Sequence, residues 1–133
     1  MSDQSKFQGL FSVDQLKKKG TVKVNIGIVT FDEGDTSVVY APALEVYGYG
    51  KGTDEAEKSF ITGLSEFIDY TLAKDTLDSE LKRLGWVIKG SKKNRKFRVP
   101  DFAYLLSNNE RLIEILNTKP VKTFKTDIPM ALA

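Results

Sequence analysis

Residues 44–56 read LEVYGYGKGTDEA, and within them the pattern of side chains changes from a period of two to a helical period. In the first six residues, Leu, Val and Gly alternate with Glu and Tyr, so the two sets lie on opposite faces of a strand. The loop that follows ends in Thr53 and Asp54, either of which can cap a helix N-terminus. We therefore predict a strand over 44–49 and a helix that begins near residue 54.

Two further strands are predicted upstream. The segment VKVNIGI at residues 22–28 places apolar side chains at every second position, and the strand continues to Phe31. DEGD at 32–35 is a turn in which glycine can take a positive φ. TSVVYA at 36–41 is rich in β-branched residues and ends before Pro42, which cannot donate to a ladder. Three strands with such short links form an antiparallel meander.

Downstream, the segment from residue 54 to about Lys74 is predicted to be one long helix. The residues of its buried stripe recur at helical spacing and should pack on the meander. They are Ala56, Phe60, Leu64, Phe67, Ile68 and Thr71. A short helix capped by Thr76 and ended by Gly85 follows. Strands at 86–88 and 96–99 then form a hairpin.

The C-terminal third contains one further predicted helix. Ser107 and Glu110 form a capping box for a helix through Leu116, with Leu112, Ile113 and Leu116 facing inward. Residues 120–129 are predicted to be extended.

The 133 residues fit a single α+β domain. We divide it into an N-terminal tail with a short helix at 1–20, a core at 22–90 and a C-terminal extension at 91–133. Ser12 and Gln15 form the capping box of the N-terminal helix.

This order of elements, with its loop motifs, resembles the HicB-type antitoxin domain, a reduced version of the RNase H fold. The resemblance is carried by FDEGD at 31–35, SVVYAPAL at 37–44, EVYGYG at 45–50 and GTDEA at 52–56, and it covers about residues 22–72. It implies a three-stranded meander with the long helix on one face, in a family that binds small toxin proteins. Residues 97–133 contain neither the helix-turn-helix nor the ribbon-helix-helix segment that HicB antitoxins usually append.

The composition argues against catalysis. The chain has no Cys and no His, which removes thiolate nucleophiles, Cys or His zinc sites and the usual general base at neutral pH. Asp32, Glu33 and Asp35 could attract a divalent cation, but all three lie in one turn, where acidic residues and glycine are favoured for backbone reasons. We therefore expect no enzyme activity, no bound metal and no cofactor.

The glycines at 48, 50 and 52 precede a helix, as in phosphate-binding loops. They lack the Gly-Lys-Ser/Thr ending of a Walker A loop and the βαβ unit of a dinucleotide site. Close packing of strand on helix is the preferred explanation of these glycines.

A basic segment occupies residues 89–98. Six cations lie within these ten residues, which contain no acid, while the remaining 14 basic and 18 acidic residues leave the rest of the chain at −4. The cations are Lys89, Lys92, Lys93, Arg95, Lys96 and Arg98. Such a cluster can bind phosphates, but a solvated hairpin tip is the more common outcome.

Three tyrosines are candidate contacts for a protein partner. Tyr47 and Tyr49 lie on the strand face opposite Val46, and Tyr40 lies on the neighbouring strand. If the long helix covers the Val46 face, the tyrosines stand on the open face, where their amphipathic rings suit an interface. The alternative, that the C-terminal third covers this face, stays open.

The sequence thus predicts a non-catalytic binding protein of the HicB antitoxin type, which sequesters a small protein partner or self-associates as a homo-oligomer. The alternative is a nucleic-acid-binding accessory protein that uses the basic hairpin. The polar start of the chain lacks a signal-peptide h-region, and no apolar stretch approaches the roughly 20 residues of a membrane span. We expect a cytoplasmic protein with no membrane contact.

Overall fold

The computed structural model describes residues 21–91 and 94–131, and in this part of the chain it is an α+β structure. The strands are β1 (Thr21–Glu33), β2 (Thr36–Ala41), β3 (Val46–Gly50), β4 (Val87–Lys89), β5 (Lys96–Arg98) and β6 (Lys122–Ala131). The helices are α1 (Thr53–Ala73), α2 (Leu77–Arg83), α3 (Phe102–Asn108) and α4 (Glu110–Thr118). The N-terminal helix predicted within residues 1–20 lies outside the described residues.

A four-stranded antiparallel sheet forms the centre of the fold, with the order β3-β2-β1-β6. The β1-β2-β3 meander is confirmed, as are the β4-β5 hairpin and the positive φ of Gly34 in the first turn. β3 begins two residues later than predicted. The chain turns at 42–45, where Glu45 takes a positive φ.

The extended C-terminal segment is the fourth strand of this sheet. β6 pairs with β1 from Thr21↔Ala131 to Thr30↔Lys122. The register places Phe124 beside Ile28 and Ile128 beside Val24, so β6 adds apolar side chains to the same buried face. The C-terminal extension and the meander therefore share one sheet.

Helix α1 covers one face of the sheet, as its apolar stripe predicts. Phe60, Leu64 and Ile68 are buried against Val24, Ile26, Ile28, Val39 and Val46, while Phe67 is only half-buried at the margin. The helix lies close to β3 because two strand positions lack side chains. A Cβ on Gly48 would overlap the backbone of Ala56 and Phe60, and one on Gly50 would lie 2.7 Å from the Ala56 nitrogen. Strand-on-helix packing is thus confirmed for these two glycines, but it is wrong for Gly52, where an added Cβ would meet nothing within 4 Å.

Thr76 is the N-cap of α2, as predicted, whereas the N-caps of α1 and α4 differ from the sequence predictions. Gly52, with φ 92°, is the N-cap of α1, and the Lys51 N–H donates to Glu55 Oε1 at 3.0 Å. Asn109, not Ser107, caps α4 by accepting a hydrogen bond from the Leu112 N–H at 3.0 Å. This start places Leu112 and Ile115 in the core and leaves Ile113 37% exposed, so the predicted inward position of Ile113 is wrong.

The apolar stretch after Pro100 forms the additional helix α3, for which the sequence analysis made no prediction. Asp101 caps it by accepting from the Tyr104 N–H at 2.8 Å. None of the α3 side chains is fully buried, and Phe102 is 57% exposed.

Candidate functional site

The candidate protein-binding site lies on the sheet face opposite α1. Tyr40 on β2 pairs directly with Tyr47 on β3, and Tyr49 is the next residue of β3 on the same face. The rings of Tyr40 and Tyr47 stack with centroids 4.3 Å apart and planes inclined by 13°, and those of Tyr47 and Tyr49 with centroids 5.9 Å apart and planes inclined by 10°. We call these three stacked residues the tyrosine row.

Exposure rises along the tyrosine row from the sheet interior to its edge. Tyr40 is 1% exposed, Tyr47 is half-buried and Tyr49 is 51% exposed. Tyr40, one of the candidate partner contacts, is therefore buried, as the alternative of a face covered by the C-terminal third requires. α4 covers this part of the face, and Tyr40 lies in a second core with Val29, Phe31, Val38, Leu112 and Ile115. Each of the two alternatives for the tyrosine face therefore holds for part of it. The C-terminal third covers the interior of the face and leaves its edge exposed.

The phenol of Tyr40 is held in this second core by one hydrogen bond from α4. Asn109 Nδ2 donates to Tyr40 Oη at 2.7 Å. Burial raises the pKa of Tyr40 well above its ordinary value, and the hydrogen bond from Asn109 acts in the opposite direction. The base of the tyrosine row is therefore a neutral, anchored phenol.

Charged side chains lie beside the exposed end of the row. Arg111 on α4 interacts with Tyr47 and donates to Glu114 Oε1 at 3.1 Å. Glu33 at the end of β1 lies 3.9 Å from Arg111 Nη2 and 3.7 Å from Lys119 Nζ. Burial raises the pKa of Tyr49, with Arg111 acting in the opposite direction. The sequence analysis missed Arg111, because nothing near it in the chain indicates that α4 lies beside β3.

The outer edge of β3 is partly occupied by α1. The Tyr49 N–H, which points away from β2, donates to Ser59 Oγ at 3.0 Å. A Cβ on Gly63 would lie 3.3 Å from the Tyr47 carbonyl oxygen, so α1 runs close along this edge. A partner would therefore contact the side chains of the row rather than add a strand to β3.

The basic hairpin separates its cations into two groups. Lys89 pairs with Lys96 and Val87 with Arg98, so Lys89, Lys96 and Arg98 share the outer face of the hairpin and are exposed. The intervening Ile88–Phe97 pair packs toward the main core. Lys92 and Lys93 lie outside the described residues.

Arg95 does not belong to the solvated group. Its guanidinium forms a bidentate pair with the carboxylate of Asp78 on α2, and its side chain is only 12% exposed. Arg95 therefore joins the hairpin to α2, and its charge is offset by Asp78.

Two carboxylates of the acidic turn have hydrogen-bond or ion-pair partners within the protein. Asp32 Oδ1 accepts a hydrogen bond from Ser37 Oγ at 2.9 Å across the β1-β2 ladder, and Glu33 faces Arg111 and Lys119. Within the described ranges, no group of three or more acidic side chains is placed to hold a metal ion. In the same ranges, no helix is long and apolar enough to cross a membrane.

Comparison with known proteins gives no family assignment. No protein-family model matches the chain, and no curated protein or solved structure is significantly similar to it.

Proposed function

We propose that this protein is a non-catalytic binding module of the antitoxin type that captures a small protein partner through the exposed end of the tyrosine row. The observation that carries the proposal is the graded burial of the row. Tyr40 anchors it in the second core, while Tyr49 presents half of its surface to solvent.

The chemistry of this surface supports the proposal. Tyr and Arg are the residues most enriched at binding hot spots, together with Trp, and Tyr47, Tyr49 and Arg111 lie side by side here. Stacking orients the rings before binding, so little side-chain entropy is lost when a partner docks. The resemblance of residues 22–72 to HicB-type antitoxins supplies the expected class of partner, a small toxin protein. A cytoplasmic location stays a prediction from the sequence.

Self-association is the second way in which this surface could be used. A homo-oligomer would bury Tyr49 against a second copy of the chain. The substitution Tyr49→Ser would then dissociate the oligomer. Sedimentation of the purified protein over a range of concentrations distinguishes a second copy from a different partner.

The test is affinity capture from the native host with nuclease treatment, followed by titration of the captured protein against purified variants. Tyr49→Ser should weaken the complex at least tenfold, because truncating a hot-spot residue commonly costs about 2 kcal/mol. Tyr70→Ser is the matched control, since Tyr70 is 64% exposed but lies near the end of α1. A complex that survives Tyr49→Ser with unchanged affinity, in a protein that also stays monomeric, would contradict the proposal.

A further inference from the structure

A groove about 460 Å³ in volume separates the start of β1 from β5. It is lined by Lys23 and Asn25 of β1 and by Lys96, Phe97 and Arg98 of β5, together with Arg95. No acidic side chain is present among the described residues that line it. Lys23 lies far from the basic segment in sequence, and only the tertiary structure brings it to these cations.

The hairpin carries its like charges at an energetic cost. Lys89 and Lys96 occupy directly opposed positions of the β4-β5 ladder, and Arg98 is two residues along on the same face. Like charges directly across a ladder repel and destabilise the pair. An anion bound across the outer face would relieve this repulsion.

The carboxylates near the groove already have partners. Asp78 accepts both hydrogen bonds from Arg95, and Asp127 Oδ1 accepts one from Asn25 Nδ2 at 3.0 Å. Among the residues that the structure describes, Lys23, Lys89, Lys96 and Arg98 form no ion pair. Lys23, Lys96 and Arg98 line the groove, and Lys89 lies directly across the ladder from Lys96 on the outer face of the hairpin.

The hairpin is held rigidly enough to present these cations. Trp86 is buried and donates from Nε1 to the Ala43 carbonyl oxygen at 2.8 Å. Its ring packs edge to face against that of Phe97, with the ring centroids 6.4 Å apart. The Arg95–Asp78 pair joins the other strand to α2. The hairpin is thus attached to the body of the protein through both of its strands.

We propose that this groove, together with the outer face of the hairpin, binds the phosphodiester backbone of a nucleic acid. The exposed cations of this surface are Lys23, Lys96 and Arg98 in the groove and Lys89 on the outer face of the hairpin. They supply point charges and a guanidinium fork for phosphate oxygens, without a side chain placed to read bases, so binding is independent of sequence. The groove lies on different elements from the tyrosine row, and its function does not depend on the function proposed for that row.

The experiment measures binding of fluorescein-labelled single-stranded RNA, single-stranded DNA and duplex DNA of one mixed sequence by fluorescence anisotropy at several salt concentrations. Binding to at least one of them at low salt is expected. Affinity should fall with a log–log salt slope of about −3 for a single strand, as for four neutralised phosphates at about −0.7 each. The three probes show which nucleic acid is preferred.

Two variants test the residues, and a third is the control. The triple variant Lys89→Gln, Lys96→Gln, Arg98→Gln should weaken binding by on the order of tenfold or more and should flatten the salt slope. Lys23→Gln alone should weaken binding severalfold. If the hairpin bound nucleic acid without the groove, this substitution would leave the affinity unchanged. The triple variant Lys51→Gln, Lys58→Gln, Lys74→Gln makes the same change in net charge elsewhere, on α1 and at its two ends, and should bind almost as wild type. Thermal unfolding of each variant verifies the fold.

Four outcomes would overturn the proposal. They are absence of binding at low salt, an affinity that does not respond to salt, equal losses in the two triple variants, and tighter binding of polyglutamate than of every nucleic acid. Tyr49→Ser should leave nucleic-acid binding unchanged, so failure of either proposed surface is distinguishable from failure of the other.

Discussion

Asn109 uses both ends of its side-chain amide to join α4 to the sheet: its oxygen accepts from the Leu112 N–H at 3.0 Å, and its nitrogen donates to Tyr40 Oη at 2.7 Å. The first bond caps the helix, and the second holds the buried end of the tyrosine row. The helix start and the second core are therefore coupled through one residue. A serine at this position could cap the helix, but its shorter side chain could not also reach Tyr40 in the same way.

Replacing Asn109 by Ala should lower the free energy of unfolding by about 1–2 kcal/mol. The estimate combines the loss of an N-cap with the loss of a hydrogen bond to a buried phenol. Chemical denaturation measured by circular dichroism checks it. Asn108→Ala is the control, because Asn108 donates only to the exposed Tyr104 carbonyl on α3, and it should change stability by less than about 0.5 kcal/mol.

Asn109→Ser separates the two roles of the residue. Ser caps helices about as well as Asn does, but its short side chain does not reach Tyr40, so we expect a loss smaller than that of the Ala variant. Equal stability of Asn109→Ala and wild type would show that neither bond matters to the fold.

The pH dependence of stability should include an alkaline loss that depends on Tyr40. Its pKa is raised in the folded protein, mainly by burial, whereas the unfolded phenol ionises near pH 10. Above about pH 10 the folded state therefore binds more protons than the unfolded state, and the free energy of unfolding falls as pH rises. Below that pH the contribution is constant.

Denaturation curves from pH 8 to pH 11 measure this effect. Tyr40→Phe should show a shallower alkaline decline than wild type, whereas Tyr70→Phe, which removes an exposed phenol, should follow the wild-type slope. An identical slope in wild type and Tyr40→Phe would contradict the expectation.

Gly48→Ala should destabilise the protein by about 2 kcal/mol or more. The added Cβ would lie 2.6 Å from the Phe60 Cα and closer still to the Ala56 carbonyl oxygen, so α1 must move away from β3. Thermal and chemical unfolding measure the cost. The control is Gly27→Ala on β1, where a Cβ meets nothing within 4 Å, and that change should be neutral or slightly stabilising. Similar effects of the two substitutions would refute the close-packing explanation.

Arg95 and Lys96 should respond differently to the same substitution. Arg95→Gln removes a bidentate pair with Asp78, and we expect it to cost about 1 kcal/mol, reduced from the value of a fully buried charged pair because Asp78 is 37% exposed. Lys96→Gln removes a solvated charge from the outer face and should change stability by less than about 0.5 kcal/mol. Equal stability of the two variants in chemical denaturation would show that the Arg95–Asp78 pair does not stabilise the fold.

Local patterns predicted the elements that depend on nearby residues. The alternation of Val24, Ile26 and Ile28 and the helical stripe through Phe60 and Leu64 are properties of short windows, and both sets are buried as expected. The candidate site was predicted only in part. Tyr47 and Tyr49 share one strand face, and Lys89, Lys96 and Arg98 lie on the hairpin, as the sequence predicts. Tyr40 and Arg95, however, have contacts that come from helices elsewhere in the chain.

By itself, then, the sequence determined the α+β class, the meander, the long helix and the positions of candidate surface residues, because strand alternation and helical spacing are set by backbone geometry within a few residues. Only the tertiary structure decided that β6 pairs with β1 as the fourth strand of the sheet. In this pairing, Asn25 donates a hydrogen bond to Asp127, 102 positions away in the chain. The tertiary structure also decided that α4 buries Tyr40 and that Lys23 joins the basic hairpin. These outcomes depend on which surfaces remain uncovered after the other elements have packed, and no short stretch of chain carries that information.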